Sequence, residues 1–230
     1  MMNHGTEMHD GIWRLSDAQL EPPPIPRVKT GFADEHWGAD ESDPGIPRMG
    51  LTLLCGEAGA GTSTFCLQLL ARVAKATGQP GLYVESQEEN DSLHRRAVRL
   101  GVNQEDVLVL GVLDIRRGAA ITEKTLERWQ PSIVVIDSLM ASDSKSDTQS
   151  FLRGIKPLSA NTPIVVVQPI LDENNCPNSY DVDTLLMSPS NEAFRILTTI
   201  RSRFGQAHES YFTMTKQGLE SFLIPPEDAS

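Results

Sequence analysis

Residues 56–64 read Gly-Glu-Ala-Gly-Ala-Gly-Thr-Ser-Thr. With this spacing of glycines a chain can leave a strand, wrap phosphate oxygens in main-chain N–H groups and aim the N-terminus of the next helix at them. Gly56, Gly61 and Ser63 fit the pattern G-x-x-x-x-G-K-[ST], but Thr62 stands where the pattern has lysine. In such a loop the main chain of Gly56, Glu57, Ala58, Gly59, Ala60, Gly61, Thr62, Ser63 and Thr64 forms the cradle, the hydroxyl of Ser63 faces Mg²⁺, and the lysine reaches the β- and γ-phosphates. A hydrogen bond to a charged group contributes roughly 1.5–3 kcal/mol, so binding without the lysine weakens by about 10- to 100-fold. Hydrolysis loses more, because the lysine also meets charge that develops in the transition state.

Two further carboxylate positions follow strand-like runs. Asp137 ends Ile133–Asp137, where a carboxylate can hold Mg²⁺ through water. Glu85, Glu88 and Glu89 follow Leu82–Val84; a carboxylate here can orient a water for attack on a γ-phosphate, and the same residues also suit an acidic first helical turn. Arg201 and Arg203, two apart, would share one face of a strand and reach a phosphate on a neighbouring subunit, or else form an exposed pair on a solvated edge. The five histidines form no Ser-His-Asp or Cys-His arrangement.

The elements that must position these groups alternate. Leu51–Cys55 is a short apolar run typical of a buried strand, Gly56–Gly61 is the turn, and Ser63–Thr77 is helical with Phe65, Leu67, Leu69, Leu70 and Val73 on its apolar face. Strands are predicted at Leu82–Val84, Val107–Leu110, Ile133–Asp137 and Pro163–Gln168, and helices at Asp91–Leu100 and Thr122–Trp129. This rhythm predicts an α/β fold, a mostly parallel central sheet with helices on both faces. Asp183–Met187, Ala193–Ile200 and Tyr211–Met214 predict a partly antiparallel extension at the C-terminal end. In a sheet of this kind ligands bind beyond the carboxyl ends of the strands, where the glycine loop and Asp137 both fall.

Residues 1–27, ending in Glu-Pro-Pro-Pro-Ile-Pro-Arg, read as a proline-containing tail; 28–222 form one core domain, in which 28–50 wrap the start of the sheet; and 223–230 are a short C-terminal tail. A net charge of −11 opposes non-specific binding to nucleic acid, which rests on Lys and Arg neutralising phosphates. Three cysteines with no C-x-x-C speak against structural zinc and for a reducing compartment. The N-terminus has no signal-peptide pattern, and no apolar run reaches membrane-spanning length, so the expected location is cytoplasmic, with no membrane partner.

Several segments resemble the RecA-like ATPase core of the RadA/Sms family of bacterial recombination proteins, with KaiC- and DnaB-like ATPases as more distant relatives. They are Thr30-Gly31-Phe32; Leu82-Tyr83-Val84 with its acidic sequel and Arg96-Ala97-Val98-Arg99-Leu100-Gly101; Val134–Ser138; Val182-Asp183-Thr184; Arg201–Gly205, similar to the family's KNRFG; and Phe212-Thr213-Met214-Thr215 with Gly218-Leu219-Glu220. The resemblance implies a RecA-like P-loop NTPase fold, ATP with Mg²⁺, ring-shaped homo-oligomers and a role in DNA recombination and repair. It places Arg201 and Arg203 at the two basic positions of KNRFG, which act across a subunit interface. The departures are Thr62 for lysine, Gln87 at the first Glu of the family's GEE, which leaves Glu88 as the nearest carboxylate for the catalytic position, Gln168-Pro169 where the family has a His, and a short acidic loop in place of a DNA-contacting one. The family's cysteine zinc module and Lon-protease-like domain have no counterpart in this chain. Two readings follow: a DNA repair protein weak or inactive as an ATPase, or a non-catalytic regulatory or scaffold relative that does not bind DNA.

Overall fold

A computed structural model of the chain describes residues 25–37, 43–57, 59–85, 90–111, 123–139, 145–170, 182–188, 194–204 and 206–222. The strands are β1 (Arg27–Val28), β2 (Ile46–Pro47), β3 (Leu51–Gly56), β4 (Gly81–Glu85), β5 (Val107–Gly111), β6 (Val134–Asp137), β7 (Ile164–Pro169), β8 (Thr184–Ser188), β9 (Arg195–Ser202), β10 (Glu209–Thr215) and β11 (Gly218–Phe222). The α-helices are α1 (Thr62–Thr77), α2 (Asn90–Arg99), α3 (123–129) and α4 (Lys145–Ile155). Nine strands form one sheet in the order β11-β10-β9-β8-β3-β7-β6-β4-β5. The six from β8 to β5 are parallel, and β9, β10 and β11 add an antiparallel edge. The mostly parallel sheet with an antiparallel C-terminal extension is as expected from the sequence, each expected strand lying within about two residues of its observed ends.

Apolar side chains cover both faces of the parallel strands, as the mostly apolar Leu51–Cys55 and the unbroken run Ile164–Val167 require. On one face Leu54, Val135, Val165 and Val167 pack with Phe65, Cys66, Leu69, Leu70 and Val73 of α1. On the other, Leu51, Leu53, Val134, Ile136 and Val166 meet Phe151, Leu152 and Ile155 of α4. Helix α4 is absent from the sequence reading. Its apolar residues crowd into the last turn beside Gly154, so no extended 3.6-residue period announces it.

Strand β11 is also new. A two-residue turn folds it onto β10, with Thr215 opposite Gly218. The side-chain amide of Gln68 on α1 holds it there, accepting from Leu219 N–H at 2.8 Å and donating to Leu219 C=O at 3.3 Å. Among the described residues before β3, Phe32, Trp37 and Ile46 are buried in the core. Phe32 packs tilted against Phe65 and edge-on against Phe212, and buried Trp37 donates its indole N–H to Thr52 Oγ1 at 3.0 Å. Arg27, assigned to the tail by sequence, instead lies in β1. Its guanidinium donates to the carbonyls of Trp37, Gly45 and Phe204 and meets Asp43 at 2.8 Å.

The N-terminal ends of β3 and β8 converge on Asp183. Its carboxylate accepts from Leu51 N–H at 2.8 Å and meets Lys156 Nζ at 2.6 Å and Arg203 Nη1 at 3.2 Å. Gly50 lies alongside with φ +107, and a Cβ there would fall 2.6 Å from the Phe204 ring. Asp183 is buried, but Lys156 is about a third and Arg203 about half exposed, so solvent screens both ion pairs and the bond from Leu51 N–H to the buried carboxylate carries most of the cost, roughly 1–3 kcal/mol. Asp183→Ala is therefore expected to lower the urea midpoint by an equivalent of about 2 kcal/mol with an unchanged m-value; a shift below about 0.5 kcal/mol would show that Asp183 does not tie these strands together.

His36 is fully buried, with Nδ1 at 2.8 Å from Thr199 Oγ1. Burial, followed by the positive influence of His208, lowers its pKa from 6.5 to about 3. The fold thus holds His36 neutral. The associated stability is full above pH 6.5 and is lost as the pH falls from there toward 3, at about 1.4 kcal/mol per pH unit. Urea midpoints at pH 7.5 and 5.5 should differ more for the native chain than for His36→Asn. Equal differences would remove His36 as the source.

Candidate functional site

The loop begins where β3 ends. Parallel neighbours β7 and β8 run level with it, Gly56 standing opposite Pro169 and Ser188, so the turn emerges at the carboxyl edge of the sheet. Gly59 (φ +82) and Gly61 (φ +90) take the left-handed conformation that lets the chain reverse into α1. Ala60 N–H closes a turn on Glu57 C=O at 3.0 Å, and Phe65 N–H makes the first helical bond to Gly61 C=O at 2.8 Å. Gly61, at the N-cap, has no side chain to accept from the first-turn amides, and that turn contains no carboxylate. The amides of Thr62, Ser63 and Thr64 therefore lie at a helix end suited to an anion.

Thr62 bends back over the start of the loop. A Cβ added to Gly56 would fall 2.3 Å from Thr62 Cγ2, so the glycine gives room to the threonine methyl. The same close approach positions Ser63 at the head of the helix, half-exposed, while Thr64 turns inward and is buried.

Asp137 ends β6, which is separated from β3 by β7 alone. Ile136 is opposite Val166, so Asp137 stands just below the level of the loop and two strand spacings from it, about 10 Å across the sheet. The carboxylate is buried, and the Tyr83 hydroxyl of β4 donates to its Oδ2. Burial and then Asp137 push the Tyr83 phenol well above its ordinary pKa, and the same two causes raise the Cys66 thiol, which is inert in this setting. Glu85, also buried, is the register partner of Asp137 on β4. Two carboxylates and the Ser63 hydroxyl are the hard oxygen donors that Mg²⁺ takes. Among the described residues no group of three or more His, Cys, Asp and Glu could hold a metal ion.

Glu88 and Ala58 lie outside the described residues. Arg201 and Arg203 lie apart from the loop of their own chain. β9 runs antiparallel to β8, so Arg201 is opposite Leu185 and Ser202 opposite Thr184, at the end where β3 begins. From Thr184 to Ser188 is four residues, or about 13 Å of strand. Nor do the two form a same-face strand pair: β9 ends at Ser202, and Arg203 turns away, its main-chain N–H on Asp183 C=O at 2.8 Å and its guanidinium on the Asp183 carboxylate. A two-residue spacing shares a face only within a continuous strand, and here the strand ends at Ser202 and Asp183 holds Arg203.

Tyr83 and Arg195 are the residues that sequence reasoning missed. Tyr83 entered only as part of a family-like Leu-Tyr-Val. Arg195, at the start of β9, donates from Nε to Gly59 C=O at 3.1 Å, across 136 positions of chain. Strand order makes that contact, and nothing in the local sequence signals it.

Residues 28–128 match the ATPase family KaiC. The DNA repair protein RadA of Aquifex aeolicus is 30% identical over 79% of this chain and 44% of its own length. RadA of Bacillus subtilis is 27% identical over 90% of this chain and 48% of its own, and RadA of Escherichia coli 29% identical over 93% and 48%. The chain thus spans about half the length of the curated relatives it matches. A KaiC-like protein of Pyrococcus horikoshii OT3 shares the fold, with a TM-score of 0.69 and 18% identity over 87% of this chain and all of that one.

Thr62 and Gly56 supply a test of the loop's packing. Gly56→Ala should destabilise the chain by about 1–3 kcal/mol through overpacking, and Thr62→Ser, which removes the methyl, should recover most of that loss in the double variant. Additive effects of the two changes would mean that the side chain of Thr62 does not rest on Gly56.

Proposed function

Taking the chain as a RecA-like core of the RadA family, we propose that it is a RadA-like protein of DNA recombination or repair that seats ATP with Mg²⁺ weakly and hydrolyses it slowly or not at all. The observation that carries this reading is the 56–64 loop at the carboxyl edge of β3, one intervening strand from buried Asp137, with threonine at the lysine position.

The residues divide the work as follows. The main chain of 56–64 binds the phosphates, and the helix end at Thr62–Thr64 orients them. Ser63 and Asp137 would hold Mg²⁺, which when bound supplies charge neutralisation between the phosphates. Tyr83 fixes the direction of the Asp137 carboxylate. Glu88 orients the attacking water. Arg201 and Arg203, too far along the strand for their own loop, serve a nucleotide or nucleic acid held at a neighbouring subunit, which calls for a ring-like homo-oligomer. Thr62 offers one neutral hydrogen bond where lysine would bring a charge, and this is the reason for slow chemistry.

A second reading, a regulatory or scaffold relative that does not bind DNA, draws on the net charge of −11 and on the engagement of Arg203 by Asp183. ATP titration with and without Mg²⁺, phosphate release, and gel shifts with single-stranded DNA at low and moderate salt separate the two. The proposal expects Mg²⁺-dependent binding, turnover near background, and DNA binding with a steep salt slope that is lost in Arg201→Ala/Arg203→Ala. Vigorous turnover abolished by Asp137→Ala would contradict the weak-ATPase reading, and absence of any DNA shift would favour the scaffold.

A further inference from the structure

The loop lacks a cation from its own helix, yet one stands against it from another part of the sheet. Because β9 is antiparallel to β8, its first residues reach the edge where β3 runs into the loop. Arg195 is opposite Phe212, whose side chain packs with Phe65 of α1, and the alternation of the strand sets Arg195 on that same face. Its Nε donates to Gly59 C=O at 3.1 Å and its Nη1 to Phe194 C=O at 3.3 Å. The side chain is half-buried and borders a narrow crevice beside the loop together with Ala60, Thr62 and Ser188.

A guanidinium keeps its proton at all physiological pH, and bonds to carbonyl oxygens leave its charge in place. It also presents several N–H groups in a planar fork that matches phosphate oxygens. A lysine at 62 would bring one point charge up from the helix. An arginine entering from β9 brings the same charge from the side, already held against the loop by a hydrogen bond.

We propose that Arg195 is the resident cation of this loop, a nucleotide-binding residue that takes the electrostatic role vacated at position 62. The proposal rests on the reading of the loop as a triphosphate seat. It differs from a simple bracing role in one respect: a brace affects every ligand equally, whereas a cation favours the ligand with more phosphate charge.

The experiment compares the native chain, Arg195→Gln, Arg195→Lys, Thr62→Lys and the double variant Arg195→Gln/Thr62→Lys, titrated calorimetrically with Mg²⁺-ATP, ADP and AMP. Arg195→Gln should weaken ATP by about 10- to 100-fold and AMP by much less, reducing the preference for ATP over AMP. Arg195→Lys, which keeps the charge, should retain most of that preference. In the Thr62→Lys background the same Arg195→Gln change should cost far less, since one cation replaces the other. Equal loss for all three nucleotides, or an unchanged ATP affinity in Arg195→Gln when the native chain binds, would overturn the role of Arg195 and leave the seat standing. No ATP binding by either the native chain or Thr62→Lys would overturn the seat and this inference together.

Discussion

A phosphate loop depends on how tightly the backbone can turn between a strand and a helix, and here that turn is governed by the contact between Gly56 and Thr62. No side chain larger than hydrogen fits at 56 while the threonine methyl lies where it does. The contact sets the entry of α1, the entry of α1 sets where its first amides point, and left-handed Gly59 and Gly61 complete the reversal. The rest of the molecule keeps that edge in place. α1 is packed across the sheet through Phe65, Leu69 and Leu70, and the side chain of Gln68 pins the terminal hairpin to it. The side chain at 62 brings no charge to this turn, because threonine stands where the pattern has lysine.

The opposite end of the sheet is organised by different chemistry. Asp183 gathers a main-chain N–H, Lys156 and Arg203, and Arg27 ties the segment after β9 to the N-terminal strand through Phe204 C=O. The segments that resemble the family's V-D-T and KNRFG thus meet in one cluster, which gives both a structural purpose within a single chain. Such a cluster separates the two ends of the molecule, with the glycine loop at the carboxyl edge of the sheet and an ion-paired base at the amino edge.

Much of this was legible in the residues because buried parallel strands are short apolar runs with sharp ends. Leu51–Cys55, Ile133–Asp137 and Pro163–Gln168 could hardly be anything else, and the glycines of the loop mark their turn plainly. What escaped has a common cause. Helix α4 carries its apolar side chains in one turn, β11 is a five-residue strand defined by pairing with β10, and the contacts Arg195–Gly59, Arg203–Asp183 and Tyr83–Asp137 join positions far apart in the chain. Periodicity and local spacing carry no record of strand order, and strand order decides which of the charged residues reach the loop. The Arg201 and Arg203 spacing shows the converse error: a two-residue repeat implies a shared face only while the strand continues, and here it stops between them.

The most direct test is a crystal structure of the chain with Mg²⁺ and a non-hydrolysable ATP analogue. The account predicts the phosphates within the arc of 56–64, held by main-chain N–H groups, with Ser63 and Asp137 turned toward the metal and no side-chain charge arriving from position 62. An analogue bound away from that arc, or loop amides diverging from any common centre, would contradict it.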